Sequence, residues 1–372
     1  MPENAHVETV PRETPTAKPV PKDRFLGLRI TPIMRRRLAN FAHNRRGFCS
    51  LWIFLTLFFL SLFAEFIAND KPLLIRYDSE FYIPVFVEYP ETAFDGEFLT
   101  EADYRDPFVI ELINKKGWMV WPLVRFSFDS INYDLKVPAP APPSAQNWLG
   151  TDDQGRDVVA RMIYGFRISV LFGLTLTIVS AAVGVSIGAF QGFYGGLLDL
   201  LGQRLIEIWA GMPMLYLLII MASVITPNFW WLLGLMLLFS WMGFVGVVRA
   251  EFLKARNLDF VRAAKALGVS NIKVIYKHVL PNAIVATVTF MPFTLAGSIT
   301  TLTGLDFLGF GLPPEVPSWG SMLSREGRLF MEMAPWLALF PGLALTITVY
   351  CLNMFGDAMR DLLDPRLRGG ER

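Results

Sequence analysis

Charge, histidine and cysteine are scarce in this 372-residue sequence, and each shortage excludes a class of chemistry. Only 18% of the residues are charged, against about a quarter in ordinary soluble domains. The two cysteines, Cys49 and Cys351, each lie inside a hydrophobic run, which predicts apolar packing instead of a disulfide framework. The three histidines, His6, His43 and His278, belong to no metal-binding or nucleophile–base motif. We therefore predict no catalytic residue and no metal site.

A phosphate-binding loop is missing as well. No Gly-x-x-x-x-Gly-Lys-Ser/Thr segment occurs, and this is the segment that cradles nucleotide phosphates in many ATPases. The net charge of +1 gives no general attraction to nucleic acid. We expect this chain to bind no cofactor of its own.

What the sequence does contain is long stretches without charge. A membrane helix needs about 20 apolar residues, and a charge inside it costs roughly 2.5–3.5 kcal/mol on insertion scales. The longest charge-free run, Ile208 to Val248, exceeds one span and is divided by Thr226–Asn228. The sequence therefore predicts an all-α polytopic membrane protein with six transmembrane helices. The charge-free windows are 48–64, 168–198, 208–248, 279–305 and 333–355.

Lysine and arginine near the spans predict the orientation. Residues 1–47 contain ten basic and four acidic residues, and residues 249–278 contain seven basic and two acidic residues. Such basic segments remain on the cytoplasmic side of a membrane. Six spans then place both termini in the cytoplasm.

One amphipathic stretch interrupts the apolar chain: FVRAAKALGVSNIKVIYKHVLPN, residues 260–282. It predicts two short helices that turn at Gly268. A DNA-binding helix-turn-helix has a similar turn, but both ends of this segment are tied to the membrane, which disfavours groove binding. A loop that merely caps two helices is the plain alternative. An apolar stripe instead favours a protein partner, and it comprises Phe260, Ala264, Leu267, Val274 and Ile275.

This hairpin resembles the EAA loop of permease subunits in binding-protein-dependent ATP-binding-cassette (ABC) importers. That motif has an acidic residue, two alanines, a glycine and an apolar-x-Leu-Pro end. Here Arg262 takes the place of the acid, and the small alanines allow close approach to a partner's groove. The resemblance implies that the hairpin couples the chain to an ATPase subunit through Arg262, Ala263, Ala264, Leu267, Gly268 and Pro281.

Three further segments resemble the oligopeptide/dipeptide/nickel class of these permeases. They are NWLGTDDQGRDVVARMIYGFRISV (147–170), GLDFLGFGLPPEVPSWGSML (304–323) and the stretch from Pro335 to Arg366. For residues 152–157 of the first segment, the plain alternative is a charged surface turn that leads into a membrane helix, with Asp152 and Asp153 as candidate helix caps. The resemblance favours a structural signature at the periplasmic interface over substrate contact. Its signature residues are Gly150, Thr151, Asp152, Gly155, Arg156 and Asp157.

The segment 69–146 is the unusual part of the chain. It mixes β-type alternation with aromatic residues and ends in the proline-rich VPAPAPPSAQ, which is typical of an extended linker. It resembles the insert in the C-type permease of the microcin C/Yej-type peptide transporter branch. Contact with a binding protein or partner permease, and a passive cap over the vestibule, are both open interpretations.

The resemblance implies a type I ABC importer transmembrane domain in the bacterial inner membrane, which carries peptides or peptide-like compounds and is not itself an enzyme. It also implies these partners: a homologous second permease, two ATPase subunits or one fused double ATPase holding ATP and Mg, a periplasmic substrate-binding protein and membrane lipid, with no nucleic acid. The alternative is a self-contained ion-coupled carrier or channel, which the lack of charges inside the spans disfavours.

The predicted division follows from these segments. It comprises a cytoplasmic segment 1–47, a first transmembrane helix 48–68, a periplasmic insert of mixed β and irregular structure 69–146, a permease core 147–356 with five transmembrane helices and the coupling loop 249–282, and a cytoplasmic tail 357–372.

Two patterns inside the spans carry finer predictions. Glycines at 184, 188 and 192 favour close helix packing over pore lining, and Pro213 and Pro292 are candidate kinks. Hydroxyl side chains give the fifth span a weakly polar side, which we predict to face the translocation path, although such groups also bond to their own helix. They are Thr287, Thr294, Ser298 and Thr301.

Overall fold

The computed structural model describes residues 41–313, 315–326 and 333–363, together with two short strands. These are β1 (Arg24–Phe25) and β2 (Leu28–Arg29), which pair antiparallel. Most of the predicted segment 1–47 and the end of the predicted tail lie outside the described residues. The start of the predicted tail is helical, because the last helix continues to Leu363.

Helices make up most of the chain. Within the described residues, five of them are long and apolar enough to cross a membrane, and one pair bent by 58° brings the number to six if the pair crosses once, as predicted. The helices are α1 (Arg45–Leu62), α2 (Ala64–Ile67), α3 (Pro107–Lys116), α4 (Val158–Tyr194), α5 (Gly196–Ala210), α6 (Met214–Ala222), α7 (Phe229–Ala255), α8 (Asp259–Ala266), α9 (Asn271–Phe307), α10 (Trp319–Ser321) and α11 (Trp336–Leu363).

Capping side chains explain where the long helices begin. The Asn228 side chain accepts the Trp231 amide at 2.9 Å and starts α7 at the predicted break. Pro213 lies at the bend between α5 and α6, as expected of a residue that lacks an amide donor. The prediction that Asp152 and Asp153 cap α4 is wrong: Asp157 does so, by accepting the Ala160 amide at 2.9 Å. For this reason α4 starts ten residues before the charge-free window.

A close contact between α4 and α7 forms the centre of the bundle. A methyl group added at Gly184, Gly188 or Gly192 would lie 2.5, 2.8 or 2.6 Å from a backbone oxygen of α7. Only glycine permits two backbones to approach this closely. The predicted packing role of these glycines is confirmed. Beside them, the hydroxyls of Ser180 and Ser240 form a hydrogen bond of 2.5 Å between the same two helices.

The insert folds around a small antiparallel sheet. Strand β3 (Leu74–Tyr77) lies between β4 (Glu80–Tyr82) and β5 (Gly117–Val120). One face of the sheet packs on α3 and on the 3₁₀ helix Glu91–Phe94. The mixed β character is confirmed, but α3 was not predicted, although Asp106 and Pro107 form a typical helix start.

The proline-rich segment, predicted as an extended linker, has no helix or strand in residues 137–146 but is fixed at its end. The Thr151 amide donates to the Ala141 carbonyl at 2.9 Å, and the Ala141 amide donates to Thr151 Oγ1 at 2.9 Å. This pair of bonds attaches the end of the insert to the start of α4. The end of the bundle where residues 69–157 lie is called the insert end. The end where α8 lies is called the hairpin end.

Candidate functional site

At the hairpin end, α8 stops in a tight turn that needs glycine. Gly268 has a φ of +74°, in the left-handed region that side chains disfavour. The Val269 amide donates to the Ala264 carbonyl (3.1 Å) and the Gly268 amide to the Lys265 carbonyl (3.0 Å). These two bonds are the Schellman arrangement that ends many helices. The space around Gly268 is open, so the backbone angle, not crowding, requires glycine.

The inner side of the hairpin is buried against the bundle. Val261 and Ala264 of α8 pack with Phe193 and Phe252, at the ends of α4 and α7. The Lys265 ammonium lies 4.5 Å from the centre of the Phe193 ring, within cation–π distance. Because this contact is apolar and continuous, displacement of α8 must displace the ends of both helices.

Two predictions about the hairpin are wrong in part. There is no separate second helix, because α9 runs unbroken from Asn271 through a π-helical turn, Val274–Val279, into the fifth span. The apolar stripe is also divided: Ala264, Val274 and Ile275 are buried within the chain, whereas Phe260 and Leu267 face outward. Only part of the predicted apolar stripe, Ala264, Val274 and Ile275, therefore packs against the bundle.

The outward side of the hairpin is exposed. Leu267, beside the turn, is 84% exposed. Around it Arg262, Ala263 and Gly268 are exposed, and Pro281 is exposed further along the chain. Ile272 and Tyr276 extend this apolar patch. We call the outward side chains of residues 260–276 the hairpin surface.

A salt bridge that the sequence did not predict lies close to the hairpin. Arg249 of α7 binds both oxygens of Asp199 of α5, at 2.5 and 2.7 Å. This bidentate geometry is the strong form of an arginine–carboxylate pair. The partners are fifty residues apart, and in the sequence Arg249 was only one of several basic residues that predicted orientation. The loop predicted at 249–282 starts later than predicted, because α7 continues to Ala255.

At the insert end, a buried ionic turn precedes α4. Asp152 is fully buried and accepts hydrogen bonds from Arg156 Nε and Arg161 Nη1, both at 2.6 Å. It also accepts the amides of Gln154 and Arg156 at 2.9 and 2.8 Å. Arg161 is only 2% exposed. A buried carboxylate with two guanidinium partners needs this full set of bonds to offset its lost hydration.

A second aspartate in the turn, Asp157, joins α4 to Asn147 at the end of the insert. Asp157 caps α4 and accepts the side-chain amide of Asn147 at 2.8 Å. Burial raises the pKa of Asp157, while its bonds from Ala160 and Asn147 oppose that rise. Trp336, at the start of α11, donates to the Thr151 carbonyl at 3.4 Å. The predicted signature residues therefore lie together, with Gly150 and Gly155 at positive φ angles.

The four predicted path residues do not form one surface within the chain. Thr287 and Ser298 are buried, Thr294 is half-buried and Thr301 is exposed. The hydroxyls of Thr294 and Ser298 donate to the carbonyls of Phe290 (3.2 Å) and Thr294 (2.9 Å) of their own helix. Their place on a translocation path stays a prediction. In the part of the chain that the structure describes, no three His, Cys, Asp or Glu side chains are grouped as a metal site requires.

A bundle of apolar helices that are long enough to cross a membrane defines a multi-pass membrane protein. Residues 184–369 match the family of binding-protein-dependent transport system inner membrane components, and the chain belongs to this family. It is therefore a multi-pass inner-membrane permease component of an ABC transporter, as the sequence resemblance indicated.

Relatives extend the similarity over the insert. The chain is 55% identical over 337 residues to the inner membrane ABC transporter permease protein YejE of Escherichia coli (strain K12), covering 91% of this chain and 98% of that protein. It is 54% identical over 360 residues to the peptidoglycan transport system permease protein YejE of Agrobacterium fabrum, covering 90% and 94%. It is 33% identical over 261 residues to the oligopeptide transport system permease protein OppC of Haemophilus influenzae, covering 70% and 82%.

Proposed function

We propose that this chain is the permease subunit of an ATP-driven importer for peptides or peptide-like compounds. It pairs with a homologous second permease, receives substrate from a periplasmic binding protein, and is driven by two ATPase subunits or one fused double ATPase that bind ATP and Mg. Both termini and the hairpin end lie in the cytoplasm. The observation that supports this assignment best is the hairpin surface: exposed outward, yet buried inward against two long helices.

The contacts of α8 supply a route for mechanical coupling. ATP-driven closure of the ATPases pushes α8 at its exposed side. The buried side transmits that movement to α4 and α7 through Phe193 and Phe252. Since the glycine contact holds these two helices backbone to backbone, they tilt together. The tilt exposes the path to one side of the membrane and then to the other, so hydrolysis drives net import.

The substrate class follows from the names of the relatives. They include a peptidoglycan transport system and oligopeptide and dipeptide transport systems, and the shared chemistry of these substrates is a peptide chain. Selectivity within this class resides largely in the binding protein. Uptake of a labelled dipeptide, an oligopeptide and a peptidoglycan fragment by cells with and without the chain tests the class. Equal uptake of all three by both strains would contradict it.

A charge placed on the hairpin surface tests the coupling. Leu267→Asp puts a carboxylate where a leucine contacts no other part of the chain closely, so folding should be unaffected. We expect binding of the ATPase to weaken roughly tenfold or more, as at interface hot spots, with loss of ATP-dependent uptake. The matched control is Leu99→Asp, because Leu99 is 86% exposed on the insert, at the other end of the bundle.

The readouts are ATPase recovery with the affinity-purified chain and ATP hydrolysis by the reconstituted complex. Equal ATPase recovery with both folded variants would contradict a dock at α8. Transport that continued without any ATPase, driven by an ion gradient, would instead support a self-contained carrier.

A further inference from the structure

The outer edge of the bilayer's hydrocarbon core is marked at the insert end by one ion pair. Helix α1 has 18 residues, a length of about 27 Å, close to the ~30 Å core of a bilayer. Just beyond it, both oxygens of Glu65 accept from Arg167 Nη1, at 2.8 and 2.9 Å. The charge-free window of α4 begins directly after Arg167. The two helices therefore leave the hydrocarbon at the same level.

A row of aromatic rings leads from the membrane span to the insert at this level. The centroids of Phe59 and Phe63 are 5.0 Å apart, and those of Phe63 and Phe66 are 6.2 Å apart. Phe66, next to Glu65, lies 5.7 Å from Phe86 in the loop after β4. Phe86 is 71% exposed. The row starts on the surface of a membrane helix and ends on a loop of the insert.

That loop is apolar in an otherwise acidic domain. Residues 83–87 read IPVFV, without a charge, whereas the insert 69–146 contains thirteen acidic and seven basic residues. Ile83 and Val87 are exposed beside Phe86. An exposed apolar group of this kind normally has an apolar environment that covers it. Aromatic side chains at the boundary of a span are typical of the membrane–water interface.

The base of the insert is fixed, so the loop is held at this depth. The Tyr164 hydroxyl of α4 donates to the Ala68 carbonyl at 3.0 Å. Ala64 and Ala68 pack with Val124 and Phe126 of the insert, against Tyr164. These contacts join the loop's domain to α4 as well as to α1. The insert therefore cannot move away from the membrane surface without breaking a buried cluster.

We propose that Ile83, Phe86 and Val87 enter the boundary between lipid headgroups and acyl chains and anchor the insert on the bilayer surface. The occupant of this patch is lipid, because the patch continues the lipid-facing surface of α1 through Phe59, Phe63 and Phe66. The anchor holds the acidic remainder of the insert beside the entrance of the bundle. The anchor requires only that the loop lie at this depth in the bilayer, whichever direction the substrate moves.

Spin labels test this depth. In a chain with Cys49→Ser and Cys351→Ala, single cysteines replace Phe86 or Val87 and carry a nitroxide. The complete chain with its partner subunits is reconstituted in nanodiscs of phosphatidylethanolamine and phosphatidylglycerol. Collision rates with oxygen, which enters lipid, and with a water-soluble nickel chelate are then measured. Phe59→Cys serves as the reference in lipid and Leu99→Cys as the reference in water.

We expect the ratio of oxygen to nickel collisions at positions 86 and 87 to exceed that at 99 at least threefold and to lie below that at 59. A ratio equal to that at 99 would overturn the proposal by placing the loop in water. Protection from both reagents would overturn it by showing a protein partner on the patch. The measurement does not depend on ATP or substrate, so its failure is distinguishable from failure of the proposed transport function.

Discussion

The two ends of α4 are built in opposite ways. At the insert end, Asp152, Asp157 and Arg161 are buried and bonded within the chain. At the hairpin end, Gly195 and Gly196 adopt positive φ angles, and α5, which follows, has no buried residue. Apolar side chains of α5 and α8 remain exposed there.

This difference indicates that the insert end is stabilised by bonds within the chain, whereas the hairpin end has exposed surface for partners. A buried ion network has no surface to offer and acts as a rigid joint between the insert, α4 and α11. The hairpin surface has the opposite property, because Leu267 and its exposed apolar neighbours become buried only in an assembly. In the importer that we propose, the rigid joint resists movement and the hairpin end receives it.

The largest effect that tests this comparison is expected from the two buried aspartates. Asp152→Asn removes the carboxylate charge that Arg156 and Arg161 both contact, and breaking a buried ion pair costs about 3–5 kcal/mol. Asp157→Asn retains the oxygen that caps α4 but replaces the oxygen that accepts from Asn147 with an NH2 group, so that hydrogen bond is lost and we expect a cost of about 2 kcal/mol. Thermal unfolding of the purified variants in detergent measures both.

Equal losses of stability from these two substitutions would show that the buried ion pairs of Asp152 contribute no more than the hydrogen bond between Asp157 and Asn147. Asp153→Asn is the surface control, since Asp153 lies in the same turn but is partly exposed. We expect its effect to stay within about 0.5 kcal/mol.

The positions of the membrane spans could be predicted from the distribution of charge alone, but the ion pairs at the ends of the spans could not. Charge-free windows located the spans, because an unpaired charge is costly anywhere in the hydrocarbon core. They misplaced the start of α4, because Arg161 and Arg167 lie inside that helix and are neutralised by Asp152 and Glu65. Pairing of this kind depends on tertiary contacts that are not apparent from spacing.

The sites show the same limit. The turn at Gly268 and the glycine contact of α4 were predictable, because each depends on a local property of glycine. The division of the hairpin stripe into a buried and an exposed side was not, because it depends on where α4 and α7 end. The pair Asp199–Arg249 was missed for a similar reason, since nothing nearby in the sequence connects the two residues.

A smaller effect is expected where α4 approaches the hairpin end. Gly188→Ala places a methyl group 2.8 Å from the Val245 carbonyl oxygen, and such overpacking costs about 1–3 kcal/mol. The matched control is Gly246→Ala on α7, where the added methyl group would have no atom within 4 Å. Alanine there should stabilise the helix by up to about 1 kcal/mol. Thermal unfolding in detergent distinguishes the two, and equal shifts in Tm would show that the helices separate freely at this end.

The smallest effect is expected in the exposed part of the insert. Lys116 and Tyr77 donate to Asp95, and these bonds hold the pKa of Asp95 below its ordinary value of 3.8, while the bond to Asp95 raises the pKa of Lys116 above 10.5. A lowered carboxyl pKa stabilises the fold above pH 3.8 and ceases to do so as the pH falls through the lowered value. A raised lysine pKa stabilises it below pH 10.5 and ceases to do so as the pH rises through the raised value.

The contribution of this pair should therefore be constant from about pH 5 to pH 9. The difference in Tm between the natural chain and Asp95→Asn measures it, and Asp78→Asn is an exposed control in the same domain. We expect a small, flat difference over this range that narrows only below pH 4. A difference that changed near pH 7 would mean that a group outside the pair controls the insert.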